Sequence, residues 1–488
     1  MTDTYNDLPI DIHDLTTIKP PIAVGPLDGR YRSTTQPLVN YFSEAALNRA
    51  RIHVEIEWLI YLLEHRLLPG APSLSDEERA YLRRIVTNFD ATAIDTIKQI
   101  EAQTKHDVKA VEYYIKECIS KGPQTLHDLG EIVHIFCTSE DINNLSYALV
   151  IRAGMQRVWL PKAQQLIDDI SVRARNYSDV SMLAHTHGQP ATPVTLGKEL
   201  AVTAYRLHRQ IRRIERTNYL GKFNGATGTW AAHAISLPSV DWPLHTRKFI
   251  EQLGLEFNPL TTQIESHDWQ SELFGDIARF NRIAHNFATD MWTYISMGYF
   301  VQNLGAQGST GSSTMPHKVN PIRFENAEAN LEVSCALLDS LSATLVTSRL
   351  QRDLTDSTTQ RNIGVALGHS LLALDNLVRG LAGVDANKER MEDDLDANWE
   401  VLGEAIQQAM RVESIAGVKG MDNPYERLKE LTRGRKINAS LLREFITSLE
   451  FSTSVKKRLL NLTPSSYCGY SAYLSDVTQF FSEENQIL

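Results

Sequence analysis

The chain contains 488 residues, of which 42% are hydrophobic and 22% charged, and its formal net charge is −10. This composition is typical of a globular protein with about two to four domains. An acidic balance without a dense run of Lys and Arg argues against a nucleic-acid partner. No apolar run approaches the roughly 20 residues of a membrane span, so no membrane partner is expected either.

Residues 1–24 are predicted to form a loose leader. Their first part is polar and acidic, and it lacks the basic-then-apolar order of a signal peptide. The four cysteines of the chain are scattered, with no CxxC pair, which disfavours structural zinc and favours a reducing compartment. We therefore expect a soluble, cytoplasmic protein that contains no metal or other cofactor.

Residues 25–125 are predicted to form an N-terminal helical domain. It begins with a turn at 25–31, rich in Gly, Pro and Asp, which presents Arg30 and Tyr31. The planar fork of donors on Arg suits a phosphate group. A surface turn with a solvated Arg explains the same pattern equally well.

Three helices are predicted in the rest of this domain. One helical pattern runs over residues 44–66, and the span 75–121 is expected to hold two more. The second of the two helices expected in residues 75–121 includes the polar stretch 104–109 around His106. This His is either a site residue or an ordinary solvated one.

Residues 126–365 are predicted to form a central domain of long helices. Apolar residues recur with a spacing near 3.6 in four stretches, 142–170, 196–214, 273–295 and 331–345. Pro161 is expected to kink the first of them. Apolar faces of this length need partners along their whole extent, so the pattern predicts a helical bundle and association between chains.

The predicted fold class is all-α, because strand signals are few. One short stretch, 229–236, has a β-like pattern. After residue 365 the helical patterns shorten, and residues 366–488 are predicted to form a smaller C-terminal helical domain.

Several polar islands lie at the junctions of the long helical patterns. In the first, Thr138 and Ser139 stand where a helix is predicted to start. Hydroxyl groups and free N–H groups at such a point can bind an anion, but simple capping of the helix is an equally good explanation.

The second island, residues 184–193, contains His185 and His187, and its two prolines and its glycine predict a rigid turn ahead of the next helix. A His in this position can titrate near neutrality and act as an acid or a base. The two could also be metal ligands, but an H-x-H pair without an evident third ligand is a weak zinc signal.

Three further islands occupy residues 221–228, 261–268 and 348–357. In the last, Arg352 and Ser357, together with Arg361, could clamp a phosphate or a carboxylate. A charged helix end is the alternative. Islands at several helix junctions are hard to explain by packing alone, and they could meet to form a site for a polyanion.

Residues 305–321 are rich in Gly and Ser and are predicted to form a loop between two long helical patterns. Ser312, Ser313, Lys318 and Asn320 place hydroxyl groups, a cation and an amide close together in it. This pattern is typical of an active-site lid, although an ordinary polar helix connection has a similar composition.

The segment GSSTMPHKVNP at 311–321 resembles the signature loop of the fumarase/aspartase superfamily, whose members release fumarate by elimination. Further segments narrow the resemblance to the adenylosuccinate lyase family within it. They stand in that family's order at residues 25–31, 105–114, 137–144, 186–193, 261–265 and 351–357.

This resemblance implies three helical domains, with the long central helices forming a bundle shared between subunits of a homotetramer with composite active sites. It implies β-elimination in purine nucleotide biosynthesis. The substrates would be adenylosuccinate, giving AMP and fumarate, and the succinyl-aminoimidazole-carboxamide ribotide, giving its carboxamide ribotide and fumarate.

The resemblance also implies catalytic roles. Ser312 matches the general base that removes a proton from the succinyl carbon next to a carboxylate. Lys318 and Asn320 would stabilise the alkoxide and the developing aci-carboxylate. His187 matches the general acid that protonates the departing nitrogen.

Two more matched residues have less defined roles: Glu325 would orient the general acid or the loop, and His106 would lie in the site. The others match substrate contacts. These are Arg30, Tyr31, Arg352, Ser357 and Arg361 for the phosphate and ribose, Thr138, Ser139 and Gln263 for the succinyl part, and Lys105, Asp107, Ser313 and Met315 elsewhere in the matched motifs.

The sequence departs from the family pattern at two places. His185 stands where members often have Arg, and residues 229–231 replace an Asn-rich stretch. A lyase acting on argininosuccinate or aspartate is an alternative, as is a non-catalytic protein that keeps the bundle. The second is disfavoured because Ser312, His187, Lys318 and Glu325 are all present.

Overall fold

A computed structural model of the chain describes residues 15–17, 23–303, 319–432 and 436–481. These residues are mostly helical, which confirms the predicted all-α class. None of the helices among them combines the length and the apolar character that crossing a membrane requires.

The α-helices follow one another in chain order. They are α1 (Arg32–Thr35), α2 (Val39–Phe42), α3 (Glu44–Glu64), α4 (Asp76–Thr87), α5 (Ala91–Thr104), α6 (Asp107–Ser120), α7 (Ser139–Gly154), α8 (Leu160–Asn176), α9 (Leu196–Glu215), α10 (Ala231–Ser236), α11 (Trp242–Gln252), α12 (Asp268–Ser296), α13 (Ile322–Leu345), α14 (Thr355–Gln360), α15 (Ile363–Ala382), α16 (Lys388–Asp396), α17 (Gly403–Ile415), α18 (Pro424–Thr432), α19 (Ala439–Ser448), α20 (Thr453–Leu460), α21 (Ser471–Leu474) and α22 (Thr478–Phe481).

Short strands pair into three two-stranded sheets. The strands are β1 (Ser181–Thr186), β2 (Gln189–Thr195), β3 (Leu220–Gly221), β4 (Glu256–Phe257), β5 (Phe300–Gln302) and β6 (Val384–Ala386). The β1–β2 and β5–β6 pairs are antiparallel, and β3 pairs with β4 in parallel. Turns of 3-10 helix occur at Leu15–Thr17, Gln36–Leu38, Gln124–Ile132, Trp399–Leu402 and Pro464–Ser466.

The chain divides into two compact units. Unit 1 comprises Met1–Ala163, Gln210–Arg282 and Ala329–Asp375, and unit 2 comprises Gln164–Arg209, Ile283–Glu328 and Asn376–Leu488. The boundary falls within five helices, α8, α9, α12, α13 and α15. The four stretches predicted to be long helices are helical, and α12 is the longest of them with 29 residues.

The N-terminal part of unit 1 is built around α3. Residues from Ala46 to Leu63 are buried on every side of this helix, charged residues included. Its apolar side chains form one core with those of α4, α5 and α6. A helix buried all round has no solvent face, so its polar side chains must find partners inside the protein.

The prediction of two helices in residues 75–121 is wrong, because three are present. Lys105 ends α5 in the left-handed region at φ 55°, and His106 then caps the N-terminus of α6. The chain therefore reverses at the polar stretch that was predicted to continue a helix. The left-handed backbone conformation of Lys105 alone therefore ends the helical periodicity.

Pro161 lies at the second residue of α8, directly after one turn of π-helix at Met155–Trp159. The wide turn accommodates the ring of a proline that cannot donate an N–H group. The irregularity expected at Pro161 is therefore present as one turn of π-helix directly before the proline.

The strand prediction at 229–236 is also wrong, because residues 231–236 form α10. The antiparallel hairpin lies instead at β1 and β2, where the two prolines predicted only a rigid turn. Pro190 and Pro193 lie within β2. Proline is tolerated there because a two-stranded sheet consists of edge strands only.

Unit 2 has its own core in the C-terminal part of the chain. Apolar residues of α17, α18, α19 and α20 pack into one cluster. This part has short helices, as the shortening of the helical patterns predicted.

Candidate active site

The first feature of the site is Asp107 in unit 1, held between two arginines. Its Oδ2 accepts hydrogen bonds from Arg51 Nη2 at 2.8 Å and from Arg361 Nη2 at 2.9 Å. Burial raises the pKa of Asp107, but the charges of Arg51 and Arg361 outweigh that effect and leave it at about 2. The group is a carboxylate near neutrality and fixes both guanidinium groups.

Arg361 is held from a second side by Ser357, one turn earlier in the chain. Its Nη1 donates to Ser357 Oγ at 2.8 Å and to the Ser357 carbonyl oxygen at 3.0 Å. Three of the predicted substrate contacts, Asp107, Ser357 and Arg361, are thus brought together by the structure.

A second group forms around Arg352. Its Nη2 lies 2.9 Å from Glu140 Oε1, and its Nη1 donates to Gln263 Oε1 at 3.3 Å. Gln263 in turn donates from Nε2 to the carbonyl oxygen of Ala226 at 3.0 Å. The polar islands at 221–228, 261–268 and 348–357 therefore meet in unit 1.

Asn143 links the two groups. Its Nδ2 donates to Glu140 Oε1 at 2.7 Å, and its Oδ1 accepts from Arg51 Nε at 2.9 Å. One continuous network therefore runs from Arg361 to Gln263. Each contact orients the next, so the cationic groups are held in place before any ligand binds.

A buried ion pair supports this network from behind. Lys222 Nζ lies 2.7 Å from Asp141 Oδ1, and both side chains are 0% exposed. Asp141 also accepts backbone N–H groups from Thr138 at 2.8 Å, Asn224 at 3.0 Å and Gly225 at 3.1 Å. The pair ties the start of α7 to the loop at 221–228.

Gly228 brings that loop against the island at 261–268. It has φ +78°, and a Cβ atom there would overlap the carbonyl oxygen of Thr261. Only glycine allows this approach. Asn224 adds a side-chain hydrogen bond from Nδ2 to Thr261 Oγ1 at 2.8 Å.

Beside Arg352, the buried His267 lies 3.3 Å from Asp356 through its Nε2 atom. Its backbone N–H donates to Glu265 Oε2 at 2.9 Å. These contacts fix the end of the 261–268 island and the first turn of α14. They are structural supports of the residues that carry the charge.

His106 is the N-cap of α6, since its Nδ1 accepts the N–H of Lys109 at 3.2 Å. Its side chain is 53% exposed and lies next to the Asp107 that anchors the arginines. Lys105 is exposed and ends α5. This places the predicted 105–107 motif beside the arginine group.

The N-terminal turn is built by backbone hydrogen bonds. Tyr31 N donates to the carbonyl oxygen of Pro26 at 2.9 Å, and Gly29 N to that of Gly25 at 3.2 Å. The exposed guanidinium of Arg30 lies 5.7 Å from the centre of the Tyr31 ring. The predicted turn is present; it exposes Arg30 and leaves Tyr31 partly buried.

His187 lies in unit 2, at the tip of the β1–β2 hairpin. The pair Thr186 and Gln189 closes a two-residue loop in which both His187, at φ 53°, and Gly188, at φ 73°, are left-handed. Such a loop matches the twist of a hairpin and projects its first residue outwards. His185 and His187 are both exposed.

Glu325 and Asn320 also belong to unit 2. Glu325 lies in the first turn of α13, where its Oε1 accepts the indole N–H of Trp292 at 3.2 Å. Asn320 precedes the helix and is partly exposed. Ser312, Ser313, Met315 and Lys318 lie outside the described residues.

One group of side chains among the described residues has the composition of a metal site. The ligand atoms of Glu55, His134 and Cys137 lie within 4.8 Å of one another. Glu55, however, already accepts hydrogen bonds from the Nδ1 atom of His134 at 2.6 Å and from its backbone N–H at 3.1 Å. This arrangement satisfies the carboxylate without an ion.

Sequence reasoning missed several residues that organise the site. Arg51 lies inside the apolar pattern of α3, and Glu140, Asp141 and Asn143 lie beyond the two hydroxyl residues singled out at the start of α7. Lys222 lies in a recognised island but was not named. The available signal was the run of charged residues in an otherwise apolar helix, because buried charges need partners.

Two of the predicted substrate contacts in this network, Arg352 and Arg361, carry a positive charge. Arg352 and Arg361 are both oriented by carboxylates and by neutral side chains. Planar guanidinium groups fixed in this way suit phosphate and carboxylate oxygens. The contacts in unit 1 are therefore compatible with the polyanion site that the islands predict.

Two family models together match most of the chain. The model of a family described as Lyase matches residues 29–334, and that of the adenylosuccinate lyase C-terminal domain matches residues 348–468. Adenylosuccinate lyase of Escherichia coli (strain K12) is 46% identical over 454 residues, covering 93% of this chain and 98% of that protein. The Haemophilus influenzae enzyme is 45% identical over 452 residues, covering 93% and 97%.

Solved structures show the same fold at lower identity. A fumarate lyase from Mesorhizobium sp. BNC1 superposes with a TM-score of 0.71 at 17% identity, covering 90% of this chain and 96% of that one. A 3-carboxy-cis,cis-muconate lactonizing enzyme from Pseudomonas putida gives 0.70 at 20% identity, covering 92% and 97%. Together with these structures, the two family models and the near-full-length relatives show that the chain belongs to the adenylosuccinate lyase family of the fumarase/aspartase superfamily.

Proposed function

We propose that this chain cleaves adenylosuccinate to AMP and fumarate in purine nucleotide biosynthesis. The observation that carries the proposal is its 46% identity to an adenylosuccinate lyase over 98% of that protein. The polyanion site supports it, because adenylosuccinate bears a phosphate and two carboxylates. The same site would cleave the succinyl-aminoimidazole-carboxamide ribotide, which carries the same succinyl group and phosphate.

The reaction is a β-elimination. Ser312 would remove the proton from the succinyl carbon that carries a carboxylate, and the C–N bond to the purine amine would break. Because a hydroxyl is a weak base, its alkoxide and the developing aci-carboxylate need stabilisation. Lys318 and Asn320 would supply it.

His187 would protonate the departing nitrogen. Its place at the tip of a hairpin suits a group that must reach into a site. Glu325, at the start of α13, would orient this His or the loop. His106 would lie in the site, and its Nδ1 is already used as a helix cap.

Two sets of side chains would bind the substrate. Those for the phosphate and ribose are Arg30, Tyr31, Arg352, Ser357 and Arg361, those for the succinyl part are Thr138, Ser139 and Gln263, and Lys105, Asp107, Ser313 and Met315 complete the contacts. The hydrogen bond from Arg352 to Gln263 would connect the two sets.

We further propose a homotetramer with active sites built from several subunits. Exposed apolar side chains on the long helices support it: Trp292 on α12 is 41% exposed and Val333 on α13 is 45% exposed. Exposed apolar side chains on long helices are expected where a second subunit packs against them. The division into three helical domains belongs to the same proposal, as does a cytoplasmic location, which the four free cysteines support.

The test is to incubate the purified full-length chain with adenylosuccinate and to follow fumarate and AMP. We expect equal amounts of both products. Absence of fumarate from a folded, assembled protein would contradict the proposal. Product from argininosuccinate or aspartate alone would indicate another lyase of the superfamily.

Composite active sites can be tested by mixing two inactive variants. His187→Ala and Ser312→Ala should each lose several orders of magnitude in turnover. If the two residues serve one site from different chains, mixed tetramers of the two variants regain part of the activity. Mixtures that stay inactive after subunit exchange would refute the composite site.

A further inference from the structure

The contacts of Arg361 fall into two classes. Three of its hydrogen bonds are short: to Ser357 Oγ at 2.8 Å, to the Ser357 carbonyl oxygen at 3.0 Å and to Asp107 at 2.9 Å. The two to Glu44 are longer, from Nε at 3.3 Å and from Nη2 at 3.5 Å. Glu44 is therefore the loosest partner of this guanidinium.

Glu44 is also the partner that can leave most easily. Its side chain is 51% exposed and stands at the first residue of α3, whereas Asp107 is held by Arg51 as well. The nearest approach of Glu44 to Arg51 is 4.0 Å. Rotation of its carboxylate into water breaks only long contacts, and exposed ion pairs of this kind are weak.

The position that Glu44 occupies is the one an anionic ligand would take. The Nε and Nη2 atoms form one edge of the guanidinium, and this edge donates two parallel hydrogen bonds to a carboxylate or a phosphate. The remaining N–H groups are engaged already: both of those on Nη1 by Ser357, and the second one on Nη2 by Asp107. A phosphate that binds Arg361 in this way must replace Glu44.

Open space adjoins this edge. Asp28, Ser43, Glu44 and Arg361 line one cavity of about 340 Å³, with apolar side chains around them. Glu44 and Arg361 thus both face a volume large enough for a ligand group. The negative charge of Glu44 opposes an anion that approaches Arg361 from this cavity.

A second observation points to unmet hydrogen-bonding capacity at the same junction. The Tyr147 hydroxyl is buried, and among the described residues it has no hydrogen-bond partner. Burial raises its pKa, and the charges of Arg51, Arg361 and Glu44 all act on it. Buried hydroxyls normally have a partner, so an unpaired donor close to the charges of Arg361 and Glu44 is a candidate to bind a ligand oxygen.

We propose that Glu44 occupies the phosphate position on Arg361 in the ligand-free protein and is displaced when a phosphate monoester binds, to which Tyr147 then donates a hydrogen bond. This rests on the proposed function, which assigns Arg361 to the substrate phosphate. Glu44 is a specificity-determining residue here. Its negative charge competes with an anion for this edge of Arg361.

The test measures binding of inorganic phosphate and of AMP by calorimetry, and KM for adenylosuccinate, with the full-length protein. Glu44→Gln removes the competing charge and should lower the dissociation constant of phosphate about three- to tenfold. Tyr147→Phe removes the donor and should raise it. KM should move in the same directions, with kcat changing less.

The matched control is Glu77→Gln, which neutralises an exposed Glu in the first turn of α4. It removes the same interaction with a helix terminus but leaves Arg361 untouched, so it should not change phosphate binding. An unchanged or higher dissociation constant in a folded Glu44→Gln protein would overturn the proposal. Unchanged binding by Tyr147→Phe would overturn the part played by Tyr147.

The two proposals fail in different ways. If the wild-type chain does not cleave adenylosuccinate but Glu44→Gln still tightens phosphate binding, the proposed function fails and the exchange of Glu44 stands. If cleavage occurs and Glu44→Gln leaves phosphate binding unchanged, the exchange fails and the function stands.

Discussion

Replacement of Lys222 by Met is the sharpest test of how unit 1 supports its site. Lys222 Nζ lies 2.7 Å from Asp141 Oδ1, with both side chains fully buried, and it also donates to the carbonyl oxygen of Gly225 at 3.2 Å. Met has a similar volume and no charge. The substitution therefore leaves Asp141 buried without its counter-ion.

Loss of one partner from a buried ion pair costs about 3–5 kcal/mol. Asp141 keeps three backbone N–H donors, at distances of 2.8, 3.0 and 3.1 Å. These donors offset part of the loss, so we expect a value near 3 kcal/mol. For a chain of this length unfolding as one unit, this corresponds to a decrease in Tm of roughly 3 °C.

The assay compares Tm at one protein concentration, because assembly makes Tm depend on concentration. The double variant Lys222→Met with Asp141→Asn should be more stable than the single one, since no charge remains buried. Lys121→Met breaks an exposed pair with Glu117 on the surface and should leave Tm unchanged.

Turnover should fall in Lys222→Met as well, because Asp141 positions the backbone of Thr138, a predicted succinyl contact. A Tm within 1 °C of wild type would refute the reasoning. So would a double variant less stable than the single one, since that would assign the effect to packing and not to charge.

Three other outcomes follow from the same contacts. Arg361→Lys should raise KM about tenfold, because the three N–H donors of an ammonium group cannot replace the hydrogen bonds that the guanidinium makes to Ser357 and Asp107 and two more to a phosphate. Steady-state kinetics will show this. Asp107→Asn should lower the stability at pH 7 by about 2 kcal/mol. A carboxylate whose pKa is depressed to about 2 stabilises the fold above pH 4, and it loses this effect as the pH falls towards 2. Measurements of Tm for the variant and the wild type between pH 7 and pH 3 will test this. Burial lowers the pKa of His233 to about 4. Unfolding therefore takes up a proton between pH 6.5 and pH 4, and the stability of the protein falls as the pH is lowered over that range. His233→Phe should make the decline of Tm with falling pH less steep.

The all-α class and the long helices could be predicted because amphipathic periodicity is a local property. Each long stretch repeats apolar residues at a helical spacing, and a helix is the only regular element that places them on one face. The start of α7 at Ser139 was also predicted from a local signal, because Thr138 and Ser139 are residue types that cap helices. The family resemblance rested on short motifs in a fixed order, which the near-full-length relatives confirm.

Local signals failed where one residue decided the path of the chain. Lys105 enters the left-handed region and divides one predicted helix into two. Pro190 and Pro193 predicted a turn, although proline is acceptable in a strand that has an open edge. Neither conformation has a reliable signal in residue type alone.

The sequence by itself therefore determined the helical class, the order of the polar islands and the residue types available for binding anions. Only the tertiary structure decided which of them meet: Arg51 with Asp107, Lys222 with Asp141 and Arg352 with Gln263. These partners lie 56, 81 and 89 positions apart in the chain. Periodicity follows from neighbouring residues, whereas the partner of a buried charge is set by the packing of distant segments, which no local pattern contains.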